Sequence, residues 1–299
     1  MSSISLAPQT GHSVAAHSDP HRLALERLFR RISDVSTLPT VAQQVMQAAQ
    51  DPKSDARVLQ EIIQRDVVLT ATILRRANAA IYARQRKTAD LAEAVAFLGF
   101  REVRNICLTV FVSRTLNGSG SHRKFSRESL WRHCLSTAVT CEKLARITER
   151  IEPEEAYVSG LLHHLGTILI DQHLHRYLCR IIDRVDQGES AESVERDELS
   201  FTQSELGAYV LAFWRLPEAV VRAVENYRRC ETYRGTHREL VSVVALADYL
   251  CTRDGWTSLG VRNARRPGDE VFRLLGLEAA LADGMWEGIK VSVAELVNG

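Results

Sequence analysis

The chain has 299 residues, of which 45% are hydrophobic and 25% charged, with a formal net charge of +1. That length suffices for one large domain or two closely packed lobes, and the charge balance gives no overall pull toward nucleic acid or an anionic membrane. No apolar run approaches the roughly 20 residues of a membrane-spanning helix, and the N-terminus lacks the basic-then-apolar order of a secretory signal.

Residues 1–20, rich in Ser, Ala, His, Gly and Pro, read as a disordered leader. Helical periodicity starts at about 21. Leu23, Leu25, Leu28, Phe29 and Ile32 suit a short amphipathic helix. Leu38-Pro39-Thr40 breaks and restarts the chain, and Val41, Val45, Met46 and Ala49 form the next stripe. Asp51-Pro52 ends it. Ser54 or Asp55 can cap a helix carrying Val58, Leu59, Ile62 and Ile63, and another runs from Asp66 to about Ala80. The basic stretch 82–88 reads as a loop. Asp90 and Glu93 fit a capping box for a helix ending at Gly99, followed at once by one reaching about Leu116.

The Gly/Ser-rich stretch 117–125 is the clearest linker, dividing an N-terminal lobe, 21–116, from a C-terminal lobe, 126–299. In the second lobe the pattern predicts helices near 126–150, 154–171, 173–187, 203–213, 217–227, 237–253 and 268–275, with Thr202 and Glu205 as a second capping box. No segment alternates as a strand should, so the expected fold class is all-α, in two lobes. Trp131 and Trp214 are expected core anchors. Cys107, Cys134, Cys141, Cys179, Cys230 and Cys251 form no CxxC pair and read as reduced thiols of a cytoplasmic protein.

Three places in the second lobe stand out. His133 lies in Leu-Trp-Arg-His-Cys, His163 and His164 in Gly-Leu-Leu-His-His-Leu-Gly, and Asp248 in Ala-Leu-Ala-Asp-Tyr-Leu. Ligand-type side chains at inward positions of separate helices are what a metal site in a helical bundle requires. Taken singly, a histidine on an apolar helix face is more often a hydrogen-bonded core residue.

The order and wording of these segments resemble the HD hydrolase superfamily, and most closely its HDOD branch, over about 33–250. The matching phrases include Leu38-Pro-Thr40, Ile63-Gln-Arg-Asp66, Arg76-Ala-Asn-Ala-Ala80, Ala94-Val-Ala-Phe-Leu-Gly-Phe100, Gly160-Leu-Leu-His163, Glu205-Leu-Gly207 and Trp214-Arg-Leu-Pro217. The resemblance implies a helical module in bacterial two-component or cyclic-dinucleotide signalling. The chain departs from the superfamily at one decisive place: His164 stands where the His-Asp pair has its Asp. Gln203 and Asn226-Tyr227 also occupy places where similar proteins often show His. An imidazole at 164 supplies no negative charge. Within one helix, adjacent side chains diverge by about 100°, so His163 and His164 could not readily aim at one ion. The expectation is therefore a residual hydrogen-bonded cluster of His133, His163, His164 and Asp248, with no catalytic residue, no bound metal and no cofactor. The alternative is an atypical metal-dependent phosphohydrolase using the same four residues.

Charge is uneven locally. Residues 70–104 hold seven Arg or Lys against three acids, and residues 184–205 two Arg against seven acids. Either run is ordinarily a solvated face. Read functionally, Arg84, Arg86, Lys87, Arg101 and Arg104 form a docking surface for a signalling protein, beside a groove for a small nucleotide-like ligand. Aromatic interleaving is lacking, so nucleic acid is not an expected partner. His173 and His175 alternate and read as surface or loop residues.

Overall fold

Capping chemistry sets the frame of the N-terminal helices. The structure is a computed structural model describing residues 25, 26, 28, 40–51, 54–80, 88–118, 120–262 and 264–298. The proposed leader, most of the first amphipathic helix and the basic positions Arg84, Arg86 and Lys87 lie outside the described residues. Helix α1 spans Thr40–Gln50, α2 Ala56–Ile63, α3 Val67–Ala80, α4 Leu91–Leu98 and α5 Phe100–Thr115. Asp55 caps α2 by accepting from the amides of Arg57 and Val58. Asp90 caps α4 in the same way. The reciprocal half of that box is not made: Glu93 turns to the Thr88 hydroxyl, whose oxygen accepts the Asp90 amide.

The expected linker folds into a minimal hairpin, Ser121–His122 (β1) against Phe125–Ser126 (β2). Two residues per strand are too few for alternation to show in the sequence. Phe125 from this turn is buried, and Ser126 opens the long helix α6, Arg127–Thr148, through a capping box with Ser129.

Beyond it come α7 (Pro153–Leu162), α8 (Leu165–His173), α9 (His175–Asp186), α10 (Ala191–Leu199), α11 (Gln203–Phe213), α12 (Glu218–Asn226), a 3₁₀ turn at Tyr227–Arg229, α13 (Arg238–Arg253), α14 (Asp269–Leu275) and α15 (Ala279–Asn298). The fold class is all-α. Two elements differ from the periodicity reading. The predicted helix 154–171 is two helices, broken at His163–His164. Helix α10 was not anticipated, because Val194 is the one fully buried apolar residue of its charged sequence.

One apolar core passes through the linker, joining Val45, Ile73 and Leu108 to Leu130, Leu162, Ile168 and Leu211. A second packs Leu144, Val244 and Leu246 around Trp286. Trp286 is fully buried, whereas the expected anchors Trp131 and Trp214 are only partly so. Two glycines allow close approach around the site. A Cβ at Gly160 would lie 2.8 Å from Ala138 Cα and Thr137 O, so this glycine lets α7 sit against α6. A Cβ at Gly166 would lie 1.9 Å from Gln203 O, so α8 and α11 meet backbone to backbone. Among the described residues no helix is long and apolar enough to cross a membrane.

Candidate functional site

The close seam of α6 with α7 faces His133 toward His163, and α13 brings Asp248 to both. Each imidazole is tied from behind. The Nδ1–H of His133 donates to the Trp256 carbonyl at 2.7 Å, and the Nδ1–H of His163 to the Gly160 carbonyl at 2.6 Å. These bonds leave both Nε2 atoms facing inward as acceptors. They lie 3.1 Å apart. Asp248 Oδ1 stands 3.1 Å from His133 Nε2 and 3.5 Å from His163 Nε2. Both histidine side chains are wholly buried, while that of Asp248 is 27% exposed.

The break after His163 changes what His164 can do. His163 ends α7 in helical geometry, but His164 sits at φ −104°, ψ 18°, outside the helical region, and α8 restarts beyond it. The two side chains therefore need not diverge as they would within one helix. Their rings approach to 4.4 Å between centroids, and a ring nitrogen of His164 falls within 4.8 Å of the other three ligand atoms. The expected divergence fails for this reason. His164 Nδ1 is held 2.9 Å from the Thr167 hydroxyl.

The electrostatics follow from burial and convergence. Burial raises the Asp248 carboxyl, but the facing His133 and His163, each able to donate from Nε2 once it carries a second proton, outweigh it and hold the group well below the usual carboxylate range. Burial, with His133 adding to it, depresses His163 despite the opposing pull of Asp248. His164 is depressed further by burial and by its two histidine neighbours. Three acceptors thus converge on one point, and a positive charge there would satisfy all of them. An extra proton on one Nε2 is one such charge. A transition-metal ion also fits the donor set, since separations of 3.1–3.5 Å resemble the roughly 3.3 Å between ligands implied by Zn–N bonds of about 2.0–2.1 Å in tetrahedral geometry. His133, His163 and Asp248 would hold such an ion, with His164 beside them, and the ion would supply Lewis acidity.

Two of the sequence departures, Gln203 and Tyr227, close the site together with Glu195 and Arg228, which the sequence did not single out. Tyr227 lays its ring 5.2 Å from that of His163, nearly edge to face. Its oxygen accepts from Gln203 Nε2 at 2.8 Å and Arg228 Nε at 3.1 Å. Arg228 Nη1 contacts both carboxylate oxygens of the buried Glu195, at 3.0 and 2.9 Å. Glu195 also accepts the Gln203 amide at 2.9 Å. Glu195 comes from the acidic run and Arg228 follows the departing Asn226-Tyr227 stretch, so the sequence offered only their unusual surroundings. A groove of about 440 Å³ opens over this wall, bounded by His164, Tyr227, Arg228, Asp248, Arg265 and Arg266.

Described members of both charged runs pair within the molecule, most of them at its surface. Arg101 pairs with Glu152, the N-cap residue of α7, at 2.9 Å, and half-buried Arg104 is depressed by burial, with Glu155 opposing. Across the acidic run, Arg184 binds Glu189 and Asp197, Arg196 binds Glu205, and Arg180 binds Glu198.

The chain matches the model of the HDOD domain over residues 35–230. An HDOD domain protein from Geobacter sulfurreducens is 23% identical, with 93% of this chain and 98% of that one covered and a TM-score of 0.71. A Marinobacter aquaeolei VT8 structure, assigned provisionally to signal transduction, is 21% identical over 95% and 67%, with a TM-score of 0.72. A Shewanella amazonensis SB2B structure, assigned provisionally to the phosphohydrolases, is 19% identical over 92% and 97%, with a TM-score of 0.69. At these identities the likeness is one of fold. The chain spans less than half the length of the curated relatives it matches: 42% of one from Treponema pallidum (strain Nichols) and 28% of one from Bacillus subtilis (strain 168).

Proposed function

The chain belongs to the HDOD domain family, and we propose that it serves as a signal-transduction module that binds a partner without turning over a substrate. The observation that carries this reading is the make-up of the cluster. Asp248 is its one carboxylate, and the place of the second is taken by His164, buried and tied to Thr167. An HD-type hydrolase needs negative charge there to hold metal and an open position for water. Here His164 supplies a fourth ligand-type group, and four protein ligands make a closed, structural kind of site rather than a catalytic one.

The groove above the cluster is our candidate binding surface. Its wall brings the cations Arg265 and Arg266 beside Arg228, which Glu195 already holds, and positive charge of this kind suits the phosphate of a small nucleotide-like ligand. A signalling protein inserting an acidic side chain would meet the same groups. The Marinobacter fold neighbour shares this reading in its provisional assignment, and the Shewanella one carries the alternative.

Hydrolysis of bis-p-nitrophenyl phosphate in the presence of Mn²⁺, Fe²⁺ or Zn²⁺ tests the proposal. We expect no rate above that of His133→Ala. A metal-dependent rate in the natural chain that His133→Ala abolishes would overturn it. Metal content of protein purified without a histidine tag completes the test: an ion bound stoichiometrically with no hydrolysis assigns it a structural role.

A further inference from the structure

A second array of ionisable groups lies outside this site, along the junction of α8 and α9. Asp171, near the end of α8, has a fully buried side chain. Arg127 Nε donates to its Oδ2 at 2.6 Å. Its Oδ1 accepts the Nδ1–H of His175 at 2.8 Å. With that proton committed, His175 Nε2 is an acceptor, and it faces Cys179 Sγ at 3.5 Å, a distance suited to an S–H···N bond. The three side chains fall at i, i+4 and i+8, one helical flank. Leu174 interrupts the helix between them, yet the spacing holds. The three differ in exposure: the His175 side chain is 44% exposed, Cys179 is partly accessible, and Asp171 is sealed.

We propose that Cys179 is a histidine-assisted thiol that exchanges with small disulfides. The arrangement has the logic of a nucleophile, a base and an orienting carboxylate. Asp171 is a positioning residue, because it fixes the tautomer and direction of His175 and touches no reactant. Burial, then Asp183 and Asp171, push the Cys179 thiol upward, so it rests protonated and a base must take its proton during attack. His175 Nε2 is placed to do so. Cys179 Sγ attacks one sulfur of the disulfide, forming a new S–S bond as the old one breaks. The electron pair leaves on the released thiolate, and the proton held by His175 passes to it. Cys179 is oxidised and the departing half reduced, with no further reactant. Disulfide exchange also suits an open helix flank, because negative charge passes from sulfur to sulfur and no oxyanion has to be stabilised.

The remaining cysteines provide contrast. Cys107, Cys134, Cys141 and Cys251 are buried, and burial raises each of their thiols. Cys230 is partly accessible, and burial pushes its thiol up to about 11. The test uses the full chain carrying Cys230→Ser, treated with oxidised glutathione at pH 7, with the modified residue located by peptide mapping. We expect Cys179 to take up glutathione. Substitution of the base by His175→Gln or by His175→Asn should slow uptake roughly tenfold or more while leaving the circular dichroism spectrum unchanged. Uptake at the same rate in either folded variant, or modification confined to other cysteines, would overturn the proposal.

Discussion

The α6–α7–α13 seam and the α8–α9 junction each carry an array of histidine and carboxylate, and the two use the same hydrogen-bond grammar to opposite ends. At the α6–α7–α13 seam, backbone carbonyls take the Nδ1 protons of His133 and His163, so two ring nitrogens and Asp248 Oδ1 converge on one sealed point. At the α8–α9 junction, a carboxylate takes the Nδ1 proton of His175, and the free nitrogen faces a thiol near the surface. What lies behind each ring decides what its front can do. A sealed front with three acceptors calls for a cation, and a half-open front facing a thiol calls for a reaction partner.

The largest test of this comparison is to remove what lies behind the open array. Asp171→Ala leaves Arg127 and His175 without their acceptor, and the Arg127 side chain is three-quarters buried. Breaking one side of such a pair costs about 3–5 kcal/mol. Urea unfolding should give a midpoint shift of that size, and a shift equivalent to less than 1 kcal/mol would show Asp171 to be more hydrated than its surroundings indicate. Next comes the sealed array. His133→Ala opens a cavity and orphans the Trp256 carbonyl bond, a loss of about 2–4 kcal/mol. Near-neutral stability there would mean that mutual repulsion of the inward acceptors had already offset the packing.

The third test reads the depressed histidines of the sealed array by pH. His163 and His164 have folded-state values below the ordinary 6.5, so between those values and 6.5 the unfolded chain binds more protons than the folded one. Their contribution is complete above about pH 6.5 and declines as pH falls below it, with a limiting slope near 1.4 kcal/mol per pH unit for each histidine. Asp248, held below its ordinary 3.8, adds stability above that value that is lost as pH falls through its folded value, a lower window. Unfolding midpoints between pH 7 and 5 should therefore fall more steeply in the natural chain than in His164→Gln. Parallel slopes would assign the acid sensitivity elsewhere.

The sequence made much of this legible and hid the rest for definable reasons. Capping residues such as Asp55, Asp90 and Thr202 placed helix starts because their chemistry is local. His133, His163 and Asp248 stood out because each interrupts an apolar stripe. The break at His163–His164 did not, since both flanks are apolar and neither Gly nor Pro marks the joint; it depends on Gly160 and Gly166 being read as packing contacts with α6 and α11. Net charge along a run does not show which members pair within the fold: Arg101, Arg184 and Arg196 each have an intramolecular partner. Alternation of His173 and His175 hides the α8–α9 array, because the informative spacing is i, i+4, i+8 through Asp171, His175 and Cys179.

The smallest expected effect on stability separates the two arrays most sharply. His175 is 44% exposed and its bond to Cys179 lies at the surface, and Asp171 keeps Arg127 as its partner, so His175→Gln should cost less than about 1 kcal/mol. If His175 were merely a structural pendant of Asp171, thiol reactivity would be as little affected as stability. The sealed array predicts the reverse pairing: His133→Ala should be costly for folding and silent in the thiol assay. Measuring stability and the rate of Cys179 modification on both variants yields a crossed pattern only if the front of each imidazole, and not burial alone, sets its role. A cheap His175→Gln that keeps full Cys179 reactivity would break the comparison at its weaker end, leaving the sealed cluster as the one array with chemistry to explain.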